Sequence, residues 1–342
     1  IVVPERKLQI HAISLYSFNN EREQILAGCQ VSVTYIFIVR ERETIMVFTG
    51  EQQSSMARYL QMKRQMRAPR AAGLIAYSGT QGSYAEEACI RFFGDDRLLI
   101  PHKSFGDVFK TITGGGADYG VVPIENSTTG AINENYDLLI RYQASIVGEV
   151  LIPVHHCLLG VPGAKISDIQ SVYSHEQGFY QSRDFLSKYP EWALVPYHNT
   201  AVAAKMVHDA GDKSKAAIAS RRAAQIHHLD VLAGPINGAD NNTTRFIVVS
   251  RMPENRPGRN KISLRFTLKD EPGALYHLLG IFDAEHLNLS KIESRPIPAS
   301  QWHYQFFMDF IGDIDEDHLD AIIGQVMAHT RSFEFLGFYP HG

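Results

Sequence analysis

Asn241-Asn242-Thr243-Thr244-Arg245-Phe246 runs straight into Ile247-Val248-Val249. The β-branched run reads as a buried strand. The residues before it set amides, hydroxyls and a guanidinium at that strand's lip. Polar groups at the end of a buried strand are where α/β proteins place binding chemistry. A hydroxyl can donate a proton, and a guanidinium can hold a carboxylate through two parallel hydrogen bonds. The same residue types also suit an ordinary turn, so the neighbouring segments decide.

Upstream, strand and helix signals alternate from Leu74. Leu74-Ile75-Ala76-Tyr77 is a short strand, 78–84 a glycine-bearing loop and 85–93 an amphipathic helix. The glycine spacing is not a dinucleotide or P-loop fingerprint, so no nucleotide is expected. Leu98-Leu99-Ile100 is a second strand, and Ser104 caps a helix reaching about residue 113. The buried strand 119–124 ends in polar Glu125-Asn126-Ser127, followed by a helix over 136–142 and a strand over 145–150. His155-His156 opens a second lobe. Adjacent strand residues face opposite ways and no third ligand stands out, so no metal is expected. Strand 171–175 leads into a helix, His198-Asn199-Thr200 caps another, and strand 215–220 precedes a helix over 222–227. This alternation predicts an α/β architecture with a largely parallel sheet. Polar loops at 78–84, 125–130, 174–181, 199–200 and 241–245 lie between these elements, and in open α/β sheets such loops converge on one crevice. A ligand cleft is the expectation.

Downstream, 252–260 is a Pro/Gly/charged linker, and a last unit follows over 261–340 in the order βαββαβ, a ferredoxin-like pattern. Residues 1–73 are the least legible: 31–39 has strand character, 40–43 is a charge run, 54–66 suits a helix, and 67–73 reads as a linker. The 342 residues allow two or three domains. A formal net charge of -4 argues against a nucleic-acid partner. Cys29, Cys89 and Cys157 give neither a disulfide framework nor a zinc spacing. With no apolar run near the ~20 residues of a membrane span and no secretion signal, a cytoplasmic location and no membrane partner are expected.

Four motifs together resemble the prephenate dehydratase family across 74–250. They are Gly82-Ser83-Tyr84, Val122-Pro123-Ile124-Glu125-Asn126-Ser127 with Gly130, Tyr173-Ser174-His175 with Gln177, and Thr244-Arg245-Phe246. Gly273-Ala274-Leu275 and Glu293-Ser294-Arg295-Pro296 resemble the phenylalanine-binding elements of an ACT regulatory domain. The domains are then 1–73, 74–251 and 261–340. The resemblance implies a two-lobed catalytic domain like the type II periplasmic binding proteins, with prephenate in the cleft. It also implies L-phenylalanine as effector and a homo-oligomer, dimer or tetramer, built through the ACT domains. In bacterial relatives it implies a helical chorismate mutase domain before residue 74. Residues 40–43 and 48–61 resemble the later part of that domain, but the segment is too short and 31–39 reads as strand. A truncated or altered mutase is therefore one reading of 1–73, and mutase activity stays open.

The reaction removes water and carbon dioxide together, and the departing ring hydroxyl must receive a proton. Thr244 matches the family's essential threonine. Arg245 is expected to hold a substrate carboxylate, and Glu125 to act as a second acid or an anchor. Ser83, Tyr84, Asn126, Ser127, Ser174, His175, Gln177, Thr200, Thr243 and Phe246 are expected around the substrate. Gly273, Ala274, Leu275, Glu293, Ser294 and Arg295 are expected around the effector. Decarboxylation supplies the electrons, so no cofactor is required. Two readings compete: an arogenate dehydratase, and a non-catalytic sensor of the same two-lobed fold.

Overall fold

The computed structural model describes residues 36–39, 44–47, 50–69, 73–238, 241–297 and 302–342. Cys29, residues 1–35, the charge run 40–43 and residues 70–72 of the linker lie outside the described residues. The described chain divides into two compact units. The larger holds residues 67–257 with 339–342, and the smaller holds 258–338 together with the described residues up to 66.

The larger unit is two-lobed. In its first lobe β3 (Leu74–Ser78) pairs in parallel with β4 (Leu98–His102) and with β5 (Tyr119–Asn126). The crossovers are α2 (Tyr84–Phe93) and α3 (Phe105–Thr113), each capped by a serine, Ser83 and Ser104, whose hydroxyl accepts a first-turn N–H. The short β6 (Gly130–Ala131), α4 (Asn133–Tyr142) and β7 (Ser145–Pro153) follow. Two residues later the chain enters the second lobe as β8 (His156–Gly160). There it forms β9 (Ser171–Ser174), α5 (Glu176–Gln181), α6 (Arg183–Leu186), β10 (Ala193–Pro196), α7 (Thr200–Ala210), β11 (Lys215–Ser220), α8 (Arg221–Ile226) and β12 (Asp230–Ala233). It then returns to the first lobe as β13 (Thr243–Ser250).

The sheet orders are β4-β3-β5-β13-β7 and β10-β9-β11-β8-β12. Along these orders one strand of each is reversed: β13 runs against β5 and β7, and β8 runs against β11 and β12, while the short β6 is a further antiparallel strand at the end of β5. Both reversed strands are the ones the chain enters directly after changing lobe. Because β13 is reversed, its amino end lies at the carboxyl ends of its neighbours, the edge where α/β sheets bind ligands. At the other edge the two ends of this unit are tied. Arg67 donates its N–H to Pro253 O at 3.2 Å and accepts at its carbonyl from Asn255 N at 2.8 Å. Beside this bridge the buried Glu254 accepts from Tyr119 Oη at 2.9 Å and pairs with Arg256 at 2.8 Å.

The smaller unit has β14 (Lys261–Leu268), α9 (Ala274–Ala284), β15 (Asn288–Pro296), β16 (Tyr304–Ile311), α10 (Glu316–His329) and β17 (Thr330–Tyr339), in sheet order β15-β16-β14-β17. This is the expected βαββαβ order. Ile262, Leu264 and Phe266 on one face of β14 meet Leu278 and Phe282 of α9 and Ile322, Ile323 and Val326 of α10.

The segment before residue 74 contributes β1 (Ile36–Val39), paired antiparallel with β2 (Thr44–Val47), and α1 (Glu51–Gln65). The expected strand thus begins at residue 36 among described residues, and the expected helix starts three residues early. Lys63 and Arg64 in its last turn complement the helix dipole. α1 is part of the smaller unit's core: Met56 is 0% and Tyr59 2% exposed within that cluster. Leu60 and Met62 are half-buried against the same core, and the polar residues of the packed face have partners. Gln52 Nε2 donates to Met327 O and Thr330 O, both at 2.8 Å, capping the carbonyls that end α10. Ser55 Oγ accepts from Phe333 N at 3.1 Å. Tyr59 Oη and Lys63 Nζ both donate to Asp320, at 2.5 and 2.6 Å. Met56→Ala is expected to destabilise the smaller unit by about 2–4 kcal/mol, through lost burial and the cavity left behind. Denaturant unfolding of the whole chain checks this, and an unchanged midpoint would mean that α1 is not seated in that core.

Candidate active site

The cleft chemistry begins with strand register. Thr244 is opposite Asn126 of β5 and Ile152 of β7, while Arg245 is opposite Glu125 and Leu151. Strand alternation therefore puts Thr244 and Asn126 on one face of the sheet and Arg245 and Glu125 on the other. Phe246 is 3% exposed and packs in the core with Tyr77, Ala88 and Val150. It anchors the strand and is not presented to a ligand as expected.

Asn126 organises the Thr244 side. Its Oδ1 accepts from Thr128 N at 3.0 Å, Thr128 Oγ1 at 2.6 Å and Thr129 N at 3.2 Å, which folds the loop after β5. Its Nδ2 donates to Asn242 Oδ1 at 2.8 Å and to Thr244 Oγ1 at 2.9 Å. Three donors at one end and two acceptors at the other fix which way the amide points. Thr244 Oγ is thus an acceptor toward Asn126, and its own proton is left for another partner. Ser127 ties the same loop to the strand's start: its Oγ donates to Asn241 O at 2.7 Å and accepts from Thr243 N at 2.9 Å. Asn242 is 2% exposed, and its Nδ2 has no acceptor among the described residues.

The second lobe reaches this centre through one line of hydrogen bonds. Gln181, at the end of α5, donates from Nε2 to Thr128 Oγ1 at 3.2 Å. Its Oε1 lies 2.8 Å from His156 Nε2, and His156 Nδ1 lies 3.3 Å from Tyr84 Oη. Burial pushes the Tyr84 phenol up and the His156 imidazole down, so both are uncharged at neutral pH. The polarity is then continuous: Tyr84 O–H to His156, His156 N–H to Gln181, Gln181 N–H to Thr128, Thr128 O–H to Asn126, Asn126 N–H to Thr244. Thr128 and Gln181 are not singled out by the sequence, and His156 is considered there only with His155 as a metal ligand. Nothing in the local pattern marks them, because each matters only for where the fold puts it.

The first loop also touches the second lobe. Gly82 has φ +85°, and a Cβ there would lie 3.1 Å from Ala223 Cα, so only glycine fits. Its carbonyl accepts from Ser220 Oγ at 3.0 Å. Glu86 accepts from Gly82 N at 2.9 Å and Arg222 Nε at 3.0 Å.

Other expected residues have local duties. Ser83 Oγ accepts from Glu86 N as the cap of α2. Ser174 is fully buried, and its hydroxyl donates to Ile218 O at 2.9 Å instead of facing a ligand. His175 caps α5 by accepting from Gln177 N at 3.2 Å. Thr200 opens α7 behind the cap Asn199, and its methyl would lie 3.6 Å from a Cβ built at Gly178. His175 also lines an open hollow of about 510 Å³ with Glu176, Pro196, Tyr197 and His198.

Arg245 departs most from expectation. Its guanidinium is 11% exposed and pairs with Glu125 at 3.1 Å and with Glu149 of β7 at 3.2 Å. Glu149 is 1% exposed at its side chain and also accepts from Gly342 N at 3.1 Å. The fork expected on substrate is engaged by two acids that join β5, β13 and β7.

In the smaller unit Gly273, at φ +78°, is the cap of α9, with Ala274 buried and Leu275 half-buried behind it. Glu293, Ser294 and Arg295 lie on β15, an edge strand in contact with α9. Among the described residues no group of three or more His, Cys, Asp or Glu could hold a metal, and no helix is long and apolar enough to cross a membrane. Cys89 and Cys157 are free and buried.

Comparison with known proteins fits these features. Residues 75–254 match the model of the family described as prephenate dehydratase, and 262–326 match that of the ACT domain. A bifunctional chorismate mutase/prephenate dehydratase of Aquifex aeolicus is 35% identical over 267 residues, 78% of this chain and 73% of that one. An arogenate dehydratase/prephenate dehydratase 1 of Arabidopsis thaliana is 37% identical over 284 residues, 78% of this chain and 71% of that one. A crystal structure of prephenate dehydratase from Arthrobacter aurescens in complex with L-Phe superposes with TM-score 0.70 at 32% identity, covering 78% of this chain and 90% of that one. The chain belongs to the prephenate dehydratase family, with an ACT domain after its catalytic stretch.

Proposed function

We propose that this chain converts prephenate to phenylpyruvate, and that Thr244 is the proton donor. One observation carries the assignment of the donor: Asn126 Nδ2 donates to Thr244 Oγ1 at 2.9 Å, so the threonine proton is free to point at a leaving hydroxyl. The ring C–O bond breaks as that hydroxyl takes the proton and leaves as water. The electron pair of the ring–carboxylate bond moves into the ring, carbon dioxide departs, and the ring becomes aromatic. A threonine is a weak acid, so it acts only where its orientation is fixed in advance. The hydrogen-bond line from Tyr84 to Asn126 supports that role. The orphaned Asn242 amide N–H beside it is a ready donor for a substrate oxygen. Arg245 and Glu125 are assigned to holding the three strands in register, since their charges already meet each other and Glu149. The expected clamp on a substrate carboxylate would require those pairs to open.

The regulatory reading is that L-phenylalanine binds where Gly273 opens α9, with its carboxylate on the free amides of that helix start. Glu293 to Arg295 complete the site, together with a second copy paired along the β15 edge. A reducing, cytoplasmic setting suits the two buried free thiols. The enzyme assay is direct: the chain is mixed with prephenate and, separately, with arogenate. Phenylpyruvate from the first supports this reading. Phenylalanine from the second alone would make it an arogenate dehydratase, and no product from either would leave only the sensor.

Thr244→Ala should lower kcat by roughly 10²-fold or more, with the melting temperature little changed, and Thr244→Ser should retain more activity. Equal turnover in Thr244→Ala would remove Thr244 as the acid. Asn126→Asp keeps the shape but replaces the donor with an acceptor, so the Thr244 proton is drawn toward it. The expected result is a fall in kcat of roughly 10-fold or more with KM little changed, and an unaltered kcat would show that this hydrogen bond does not set the donor. Gly273→Ala introduces a Cβ at φ +78°, 3.3 Å from His277 Nε2. It should abolish the L-phenylalanine response in calorimetry and in the assay while leaving basal turnover intact. Undiminished inhibition would misplace the effector site.

A further inference from the structure

The smaller unit holds a hollow of about 750 Å³ walled by α1, β14, β16 and β17. Its lining includes three arginines, Arg58, Arg265 and Arg331, and four aromatic rings, Trp302, Tyr304, Phe306 and the buried Phe333. Arg265 is the half-buried one. Its Nε donates to Gln305 Oε1 at 2.9 Å, and that neutral amide is its hydrogen-bond partner among the described residues. Burial pushes the Arg265 guanidinium down, with Glu334 opposing that effect and Arg58 adding to it. Glu334 and Glu51 attract the guanidinium through space, but its one hydrogen bond is to a neutral amide, and a carboxylate bound directly to this half-buried cation would relieve the cost of its burial. Its two terminal nitrogens form the flat fork that fits a carboxylate. Arg58 and Arg331 pair with Glu334 at 3.0 Å and Glu51 at 3.5 Å, but both are more than half exposed, where such pairs are weak and readily exchanged.

The rings supply the second half of a site. Phe306 stacks on Phe266, with centroids 5.5 Å apart and planes at 12°. Tyr304 is 45% and Trp302 88% exposed at the rim, and large rings left bare beside a cavity are what a bound ring would cover. The hollow is separate from the expected effector elements. Those lie at the start of α9 and on β15, at the sheet edge opposite β17. One of its walls, α1, also lies outside both stretches that match the family models.

We propose that this hollow is a second ligand site of the regulatory unit, for an aromatic monocarboxylate with its carboxylate on Arg265 and its ring among Phe306, Tyr304 and Trp302. No amino group is needed, which sets its ligand class apart from an amino-acid effector. The site depends on α1, which closes one side.

The test uses 3-phenylpropionate as probe on the full chain. The protein has two tryptophans, and Trp192 is buried in the other unit, so emission of the wild type minus that of Trp302→Phe isolates the rim ring. Binding in the catalytic cleft does not register in this signal. The expected result is a saturable change in Trp302 emission, with acetate, which lacks a ring, at least tenfold weaker. Arg265→Gln should weaken the probe at least tenfold. No saturable change in the wild type, or the same affinity in a folded Arg265→Gln protein, overturns the proposal. If Arg265→Gln does not fold, Tyr304→Ala at the exposed rim is read instead: weakened binding by calorimetry supports the site, and unchanged binding overturns it.

Discussion

The hydrogen bond from Asn126 to Thr244 exists because one strand runs backwards. Had β13 joined its sheet in parallel, its amino end would lie at the far edge, away from the loop that follows β5. Reversed between β5 and β7, it brings Thr244 level with Asn126 at the carboxyl edge of the lobe. Phe246 and Val248 hold the strand from the core side, and the Arg245 pairs with Glu125 and Glu149 hold it from the other. The proposed proton donor is thus fixed by its backbone register first and by its side-chain partners second.

The rest of the larger unit serves that register from a distance. The second lobe contributes through Gln181, whose bond to Thr128 is exposed and, at 3.2 Å, among the longer links in the line to Thr244. The links on either side of it, His156 to Gln181 at 2.8 Å and Thr128 to Asn126 at 2.6 Å, are shorter. The line crosses between the lobes at Gln181–Thr128 and again at Tyr84–His156, at 3.3 Å, so a change in how the lobes meet is felt at these two long links.

Much of this was legible in the sequence, and what was not has physical causes. Serine and asparagine caps, glycine turns and β-branched runs declare themselves locally, so the α/β alternation and the βαββαβ unit could be read directly. The polar loops also led to Asn126 and Thr244. Reversal of β13 could not be read, because strand direction is set by pairing with residues about 120 positions away. For the same reason the pairing of Arg245 with Glu125 and Glu149 could not be read: adjacency to Thr244 in sequence hides that the two side chains leave the strand on opposite faces. The register of α1 was illegible for a different reason. Its packed face mixes Met56, Leu60 and Met62 with Gln52, Ser55, Tyr59 and Lys63, and it is the backbone groups at 327–333 and Asp320 that make those polar residues suitable beside a core.

The bridge that ties Arg67 to residues 253–255 bears on the order in which the protein is made. Tyr59 and Asp320 are 261 residues apart in sequence. At about 5–20 residues per second of synthesis, α1 waits on the order of ten seconds to a minute for the helix it caps. During that wait the larger unit is completed, and once Arg67 pairs with Pro253 and Asn255 the long intervening segment is closed off as a loop. What remains to be joined is then only the short lengths of chain on either side of the bridge, and the entropic cost of bringing α1 to β17 and α10 falls with the shorter effective loop. The clasp at Arg67 thus lets α1, made long before its partners, be among the last elements to find its place, without searching the full length of the chain.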